Sequence, residues 1–416
     1  MFAEETCNTT ACKLASVSIL SQLNRTFDPC TDFYSHVCGN YPAHHPLDNN
    51  EWTNSFSERQ KLVIKEIDEA FLNAKSKSKS KSIHFVSEYY SDCMNAQEEK
   101  TKATNMVNEI RSSFRINLQT NNWLDSETAK HAIEKLDAIQ HFVGFDEWIL
   151  SDELIDKHSN VIQNNETYQK GKFLETFINF SVRSRKDNLE NHPPYQDPKL
   201  RNFVNPLIVN AFYSRSINSI FIPAAILQPP FFDHELPWSA NYGSIGAIIG
   251  HELTHGFDAE GRKYDLHGNF SNWWTNATLT KFLNKTKCIQ EQYGQIHDPV
   301  ADKNINGVQT LSENIADNGA IKNSYAAYQA HLKKYKDAKV LPNLSYNSEQ
   351  LFFVFYGNLW CENISAKRLR ALIGGDGHSP NKYRTNVVLG NFEPFAKAFN
   401  CPLGSKMNPT SKCSVW

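Results

Sequence analysis

Apolar positions recur along the chain at helical spacing, in blocks separated by polar stretches rich in Asn, Pro and Gly. Residues 1 to about 60 are mostly polar, with one short apolar helix expected around Leu14 to Leu23. From Glu58 to Ala74, Leu62, Ile64, Ile67, Ala70 and Phe71 fit one face of a helix. The alternating Lys–Ser run from Lys75 to Ser82 then reads as a solvated loop rather than a dock for an acidic partner. Helical patterns resume from His84 to Phe114 and from Ser126 to Phe142. The stretch Lys186 to Asp197, containing His192-Pro-Pro-Tyr195, predicts a loop. Asn218 to Pro223 predicts a short strand stopped by its proline, and Pro229 and Pro230 extend the break. A Gly-interrupted helix follows, with Ile245, Ile248, Ile249 and Leu253 along its apolar face. Internal repeats are absent.

Composition narrows what such a chain does. The 416 residues are 40% apolar and include 8 Trp, 16 Tyr and 26 Phe, enough to bury a sizeable core in two or three domains. With 43 basic and 45 acidic residues the formal charge is −2, which gives no reason to expect nucleic acid or an anionic membrane as main partner. No stretch approaches the ~20 consecutive apolar residues of a membrane span. The start, Met1-Phe2-Ala3-Glu4-Glu5-Thr6-Cys7, lacks the basic and apolar regions of a signal peptide.

Two features nevertheless point to the secretory route. Nine sequons occur, at Asn8, Asn24, Asn165, Asn179, Asn269, Asn276, Asn284, Asn343 and Asn363. Four cysteines cluster at the start (Cys7, Cys12, Cys30, Cys38), and Cys93, Cys288, Cys361, Cys401 and Cys413 follow. None forms a CxxC pair, which argues against a thiolate zinc site. Clusters at both ends suggest disulfides tying the termini into one body in an oxidising compartment, with one cysteine left over. The expectation is an extracellular or cell-surface glycoprotein whose export or anchor segment lies outside this chain. No sequence feature sets an oligomeric state.

The chemistry sits in two short motifs. His251-Glu252-Leu-Thr-His255 lies on the Gly-interrupted helix, and its histidines are four apart, so both imidazoles project from one face and can share a metal. Glu252 can reach a water at that metal; zinc lowers the pKa of such a water to about 7. A third protein ligand is required, and Glu313-Asn-Ile-Ala-Asp317 offers one. Its two carboxylates also share a helical face. One can ligate while the other accepts the free N–H of a ligating histidine. Either carboxylate alone reads as a solvated helix residue, and the histidine motif reverses that balance.

The segments Asn210-Ala-Phe-Tyr213, Gly250-His-Glu-Leu-Thr-His-Gly-Phe-Asp258, Ser312-Glu-Asn-Ile-Ala-Asp-Asn-Gly319, His378-Ser-Pro380 and Cys413-Ser-Val-Trp416 resemble the neprilysin family of zinc metallopeptidases, which includes the endothelin-converting enzymes. The likeness runs from about Leu124 to Trp416 and returns in the first 60 residues. It implies a mainly α fold with a small β-sheet (α+β): a thermolysin-like zincin catalytic lobe with a reduced helical second lobe. In those terms residues 1–60 form a cysteine-rich segment on the catalytic lobe, 61–125 a remnant of the second lobe, and 126–416 the catalytic domain. One Zn²⁺ per chain is implied, held by His251, His255 and Glu313. Glu252 acts on the attacking water, Asp317 orients a ligating histidine, and His378 stabilises the oxyanion. Asn210 and Ala211 receive the peptide backbone on an edge strand, and Arg384 clamps a substrate carbonyl.

The resemblance further implies pairs Cys7–Cys12, Cys30–Cys401, Cys38–Cys361 and Cys288–Cys413, with Cys93 left over. Substrates are expected to be short peptides cut on the amino side of large hydrophobic residues. Members are usually longer, with a helical lobe closing over the site, and the shortfall here falls between Cys93 and Ser126. Some carry an Arg where this chain has Trp52, which argues against carboxydipeptidase action. The alternative is a catalytically impaired zinc-binding glycoprotein that binds peptides or partners.

Overall fold

The computed structural model describes residues 4–47, 49–77, 81–145 and 205–416. Helices dominate it, and the strands form only small sheets. The two helices that matter most are Ala247–His255, here the histidine helix, and Leu311–Tyr335, the carboxylate helix. They pack on each other more extensively than any other pair of elements. Two glycines permit this approach. A Cβ on Gly250 would lie 2.8 Å from the Ala320 carbonyl oxygen, and one on Gly319 would lie 2.6 Å from the Thr254 Cγ2. Each helix thus presents a bare backbone to the other, which brings the HExxH face against Glu313 and Asp317.

A three-stranded sheet flanks the pair. Gln140–Gly144 runs parallel to the central strand Ser219–Pro223, and Phe212–Ser214 pairs antiparallel on its other side. Stacked rings of Phe142, Phe221 and Phe212 cross this sheet at centroid distances of 4.9 and 5.1 Å. Phe212–Ser214 is therefore an edge strand within the described sheet. The expected helix from Ser126 to Phe142 stops at Ala138 instead. Asp125 caps its start, accepting from Thr128 N at 2.8 Å. The apolar residues beyond Ala138 belong to the parallel strand, because a short apolar run fits either periodicity and the sheet supplies the partner.

The other expected elements form with shifted ends, as Thr10–Gln22, Ser55–Lys77, Lys81–Thr120 and Ser219–Pro223. Helix continues through Lys75 to Lys77 and begins again at Lys81, so the Lys–Ser run is not a simple loop; 78–80 lie outside the described residues. The loop expected at 186–197, the sequons Asn165 and Asn179, and the side chain of Cys93 also lie outside them. Among the described residues no helix is long and apolar enough to cross a membrane.

One core joins the parts. Val63 and the buried run Ala103, Met106, Val107, Ile110, Phe114 and Leu118 belong to the same cluster as the histidine helix. Trp416 is buried and packs 5.2 Å from Trp123, whose Nε1–H donates to the Val415 carbonyl at 3.0 Å. The first sixty residues are stitched onto this body. Glu5–Thr6 pairs with Lys339–Val340 and Trp52–Asn54 with Glu362–Ile364. Phe33 meets Phe395 and Phe399 edge-on at 4.8 and 5.0 Å. All four implied disulfides are present: Cys7–Cys12, Cys30–Cys401, Cys38–Cys361 and Cys288–Cys413.

Candidate metal centre and active site

His251 and His255 stand one turn apart on the histidine helix, and their Nε2 atoms approach to 2.9 Å. Glu313, in the first turn of the carboxylate helix, places Oε2 at 3.2 Å from the first and 3.5 Å from the second. The outer nitrogens are occupied. His251 Nδ1 donates to Asp317 Oδ1 at 2.8 Å, and His255 Nδ1 donates to Asp258 Oδ2 at 2.7 Å. With both Nδ1 protons assigned in this way, both Nε2 atoms carry lone pairs.

Three acceptors therefore face one another in a buried place, an arrangement that a cation reconciles. The alternative is an added proton on an imidazole. Burial opposes it, whereas Asp258 and Glu313 favour it strongly enough to raise His255 well above its ordinary value. The ligand atoms lie within 4.8 Å of one another. A tetrahedral zinc site with bonds of about 2.0 Å separates its ligand atoms by about 3.3 Å, close to the spacings here. The residues present fit zinc.

Glu252 is 5% exposed, and its carboxylate makes no protein hydrogen bond among the described residues. Burial raises its pKa above the ordinary carboxylate value, with Glu313 adding to the rise and the two histidines opposing it. Asp317 is held down to about 2: burial opposes ionisation, but Arg384 and His251 outweigh it. Arg384 Nε and Nη2 each donate to Asp317 at 2.8 Å, and its guanidinium lies 3.8 Å over the Trp360 ring. Two of its five N–H donors are thus spent on Asp317, leaving those of Nη1 and the second on Nη2. His378 is half exposed. Its Nδ1 donates to Asp376 at 2.8 Å and its Nε2 lies 3.2 Å from Glu313 Oε2. Partial burial disfavours its cation, but Asp376 and Glu313 hold the pKa up to about 9, so it carries a donor at neutral pH.

All nine residues singled out from the sequence line one cavity of about 550 Å³. Asn210 and Ala211 lie immediately before the edge strand Phe212–Ser214 rather than within it, with Asn210 Oδ1 accepting from Ala211 N at 3.0 Å. Trp52, Phe56, Val209, Ile248, Trp360 and Leu372 form the apolar wall. Asp258 belongs to neither of the two motifs, although its place three residues after His255 puts it within reach of that ring. Asp376 stands in the same relation to His378, two residues before the ring it holds.

Trp52 Nε1–H donates to Glu362 Oε2 at 2.7 Å beneath the cavity wall. Burial pushes the Glu362 carboxyl up from its ordinary 4.5 to about 7. Between these values the unfolded chain has lost a proton that the folded chain retains, so folding stability falls as pH rises from about 4.5 to about 7. Glu362→Gln removes that loss. Thermal melts should show variant and parent alike at pH 4, and the variant more stable by up to ~3 kcal/mol at pH 8. A difference that does not change with pH would exclude this titration.

Residues 210–415 match peptidase family M13, as do residues 29–99 and 96–146. The endothelin-converting enzyme homolog of Locusta migratoria is 40% identical over 317 residues, covering 76% of this chain and 43% of that protein. Human endothelin-converting enzyme 1 is 39% identical over 324 residues, covering 77% of this chain and 41% of that protein. The chain thus spans less than half the length of these relatives. A crystal structure of the Mycobacterium tuberculosis zinc metalloprotease Zmp1 in complex with inhibitor superposes with a TM-score of 0.65 at 28% identity, covering 76% of this chain and 47% of that one.

Proposed function

Because this chain belongs to peptidase family M13, we propose that it is a zinc-dependent metalloendopeptidase of the neprilysin and endothelin-converting-enzyme kind, acting on short extracellular peptides. The observation that carries this is the convergence of His251, His255 and Glu313 beside the Glu252 carboxylate, which has no hydrogen-bond partner among the described residues, inside a cavity bordered by an edge strand. One zinc per chain, held by those three residues, would polarise the scissile carbonyl and acidify the attacking water.

The rest is done by the chain. A peptide enters beside Asn210 and Ala211 and adds to the strand Phe212–Ser214 by main-chain hydrogen bonds. Its side chain after the scissile bond meets Phe56, Ile248 and Trp360, an apolar surface suited to Phe or Leu. Glu252 removes a proton from the water as its oxygen bonds the carbonyl carbon. It then passes that proton to the leaving nitrogen as the C–N bond breaks. His378 donates a hydrogen bond to the oxygen that gains charge. Asp317 and Asp258 keep the two imidazoles in the tautomer that turns Nε2 inward.

The four disulfides support an oxidising, extracellular setting. Of the described sequons, Asn8, Asn269, Asn276, Asn284 and Asn343 are exposed, as glycosylation requires. A quenched peptide with Phe or Leu after a single scissile bond tests the activity. Cleavage should stop with a zinc chelator and return with added zinc. A chain that takes up one zinc yet never cleaves would instead be a peptide-binding glycoprotein.

A further inference from the structure

Lys135 sits in the helix Ser126–Ala138, yet only 1% of it is exposed. An ammonium has three donors and no acceptor, and burying one without partners is costly. All three donors are used here. Nζ lies 2.7 Å from the carbonyl oxygens of Gly256, Gly261 and Tyr264. The rings of Phe257 and Trp273 flank it at 5.5 and 5.8 Å.

Those carbonyls belong to one segment, 256–264, which starts directly after His255 and contains Asp258. Its regular structure is limited to the single turn Gly261–Lys263, so its path is set by what grips it. Asp258 grips it from inside: Oδ1 accepts from Glu260 N at 2.7 Å and Gly261 N at 2.6 Å, while Oδ2 holds His255 Nδ1. Lys135 grips it from outside. The Lys135 carbonyl in turn accepts from Asn218 Nδ2 at 3.1 Å, and Asn218 Oδ1 accepts from Tyr213 Oη at 2.8 Å. Tyr213 lies on the edge strand where the peptide would add. A continuous chain of contacts therefore runs from the metal centre to the substrate strand, with Lys135 at its middle.

We infer that Lys135 is a positioning residue: by gathering three carbonyls of segment 256–264 onto one ammonium, it fixes Asp258 and hence the His255 imidazole, and registers both against the edge strand. This rests on the zinc-site reading above. Arginine is a poor substitute, since a planar fork cannot converge on three oxygens around one point.

The parent, Lys135→Met, Lys135→Arg and Asp258→Asn should be compared for zinc affinity by competition with a chromophoric chelator. Amide exchange across 256–264 should be followed in the zinc-free proteins, and thermal melts recorded. Lys135→Met is expected to weaken zinc by about 10–100-fold, the usual cost of losing an outer partner of a ligand. It should also speed exchange in 256–264 without metal. Arg should not restore either property. Combined with Asp258→Asn, it should weaken zinc by less than the product of the single effects. Should the Met variant not fold, Lys135→Gln, which keeps two donors, takes its place and must show a smaller loss of the same sign. Zinc affinity within twofold of the parent, with or without a lower melting temperature, overturns the inference. A parent that binds no zinc would overturn the zinc-site reading itself.

Discussion

Glu252→Gln should bind zinc as the parent does and hydrolyse the quenched Phe or Leu peptide about 10²–10⁴-fold more slowly, the range that one general base contributes. The amide has the shape of the carboxylate it replaces, so the 5%-exposed site has no cavity to collapse. The side chain makes no protein hydrogen bond among the described residues, so none is lost. Only proton transfer changes: an amide cannot take a proton from water and return it to an amine. Burial supports the role, because a carboxylate moved up from its ordinary value is a stronger acceptor near neutral pH. Zinc content measured on the same preparation separates loss of the base from loss of the metal. Equal rates for variant and parent would remove Glu252 from the mechanism.

Glu313→Ala should have the opposite signature, losing the metal first and activity as a consequence. It leaves two imidazoles where zinc requires three protein ligands, so affinity should fall by more than the about 10–100-fold that follows loss of an outer partner. Stability should change with it. Zinc at a thousand times its dissociation constant adds about 4 kcal/mol to the parent's folding free energy, so the parent's melting temperature should drop on chelation. The variant should melt at the same temperature with and without chelator. A variant that still melts higher with zinc would place the third ligand elsewhere. The Glu313 carboxyl lies well below the usual carboxylate range: burial disfavours its charge, but the surrounding imidazoles of His251, His255 and His378 outweigh this. It is therefore an anion wherever the parent is folded and ready for a cation.

Local chemistry was readable from the sequence wherever it depends on spacing along one helix. His251 and His255, or Glu313 and Asp317, project together because four residues nearly complete a turn. That the two helices would meet was not readable from spacing; it depends on Gly250 and Gly319 lying opposite Ala320 and Thr254. The resemblance to a family supplied what spacing could not, including the four disulfides. The strand Gln140–Gly144 was read as helix because its apolar residues continue those of Ser126–Ala138, and only the distant Ser219–Pro223 decides between the two. Lys135 is illegible for a related reason. Nothing near it in sequence marks it as buried, since its three acceptors lie more than a hundred residues on.

The pairs Cys30–Cys401 and Cys38–Cys361 close loops of 371 and 323 residues, joining the first forty residues to the last sixty. A backbone cut anywhere between Cys38 and Cys361 therefore yields two fragments that stay bound through sulfur. Such a nick would leave a single covalent molecule until the disulfides are reduced, and neither half could diffuse away with part of the histidine and carboxylate cluster.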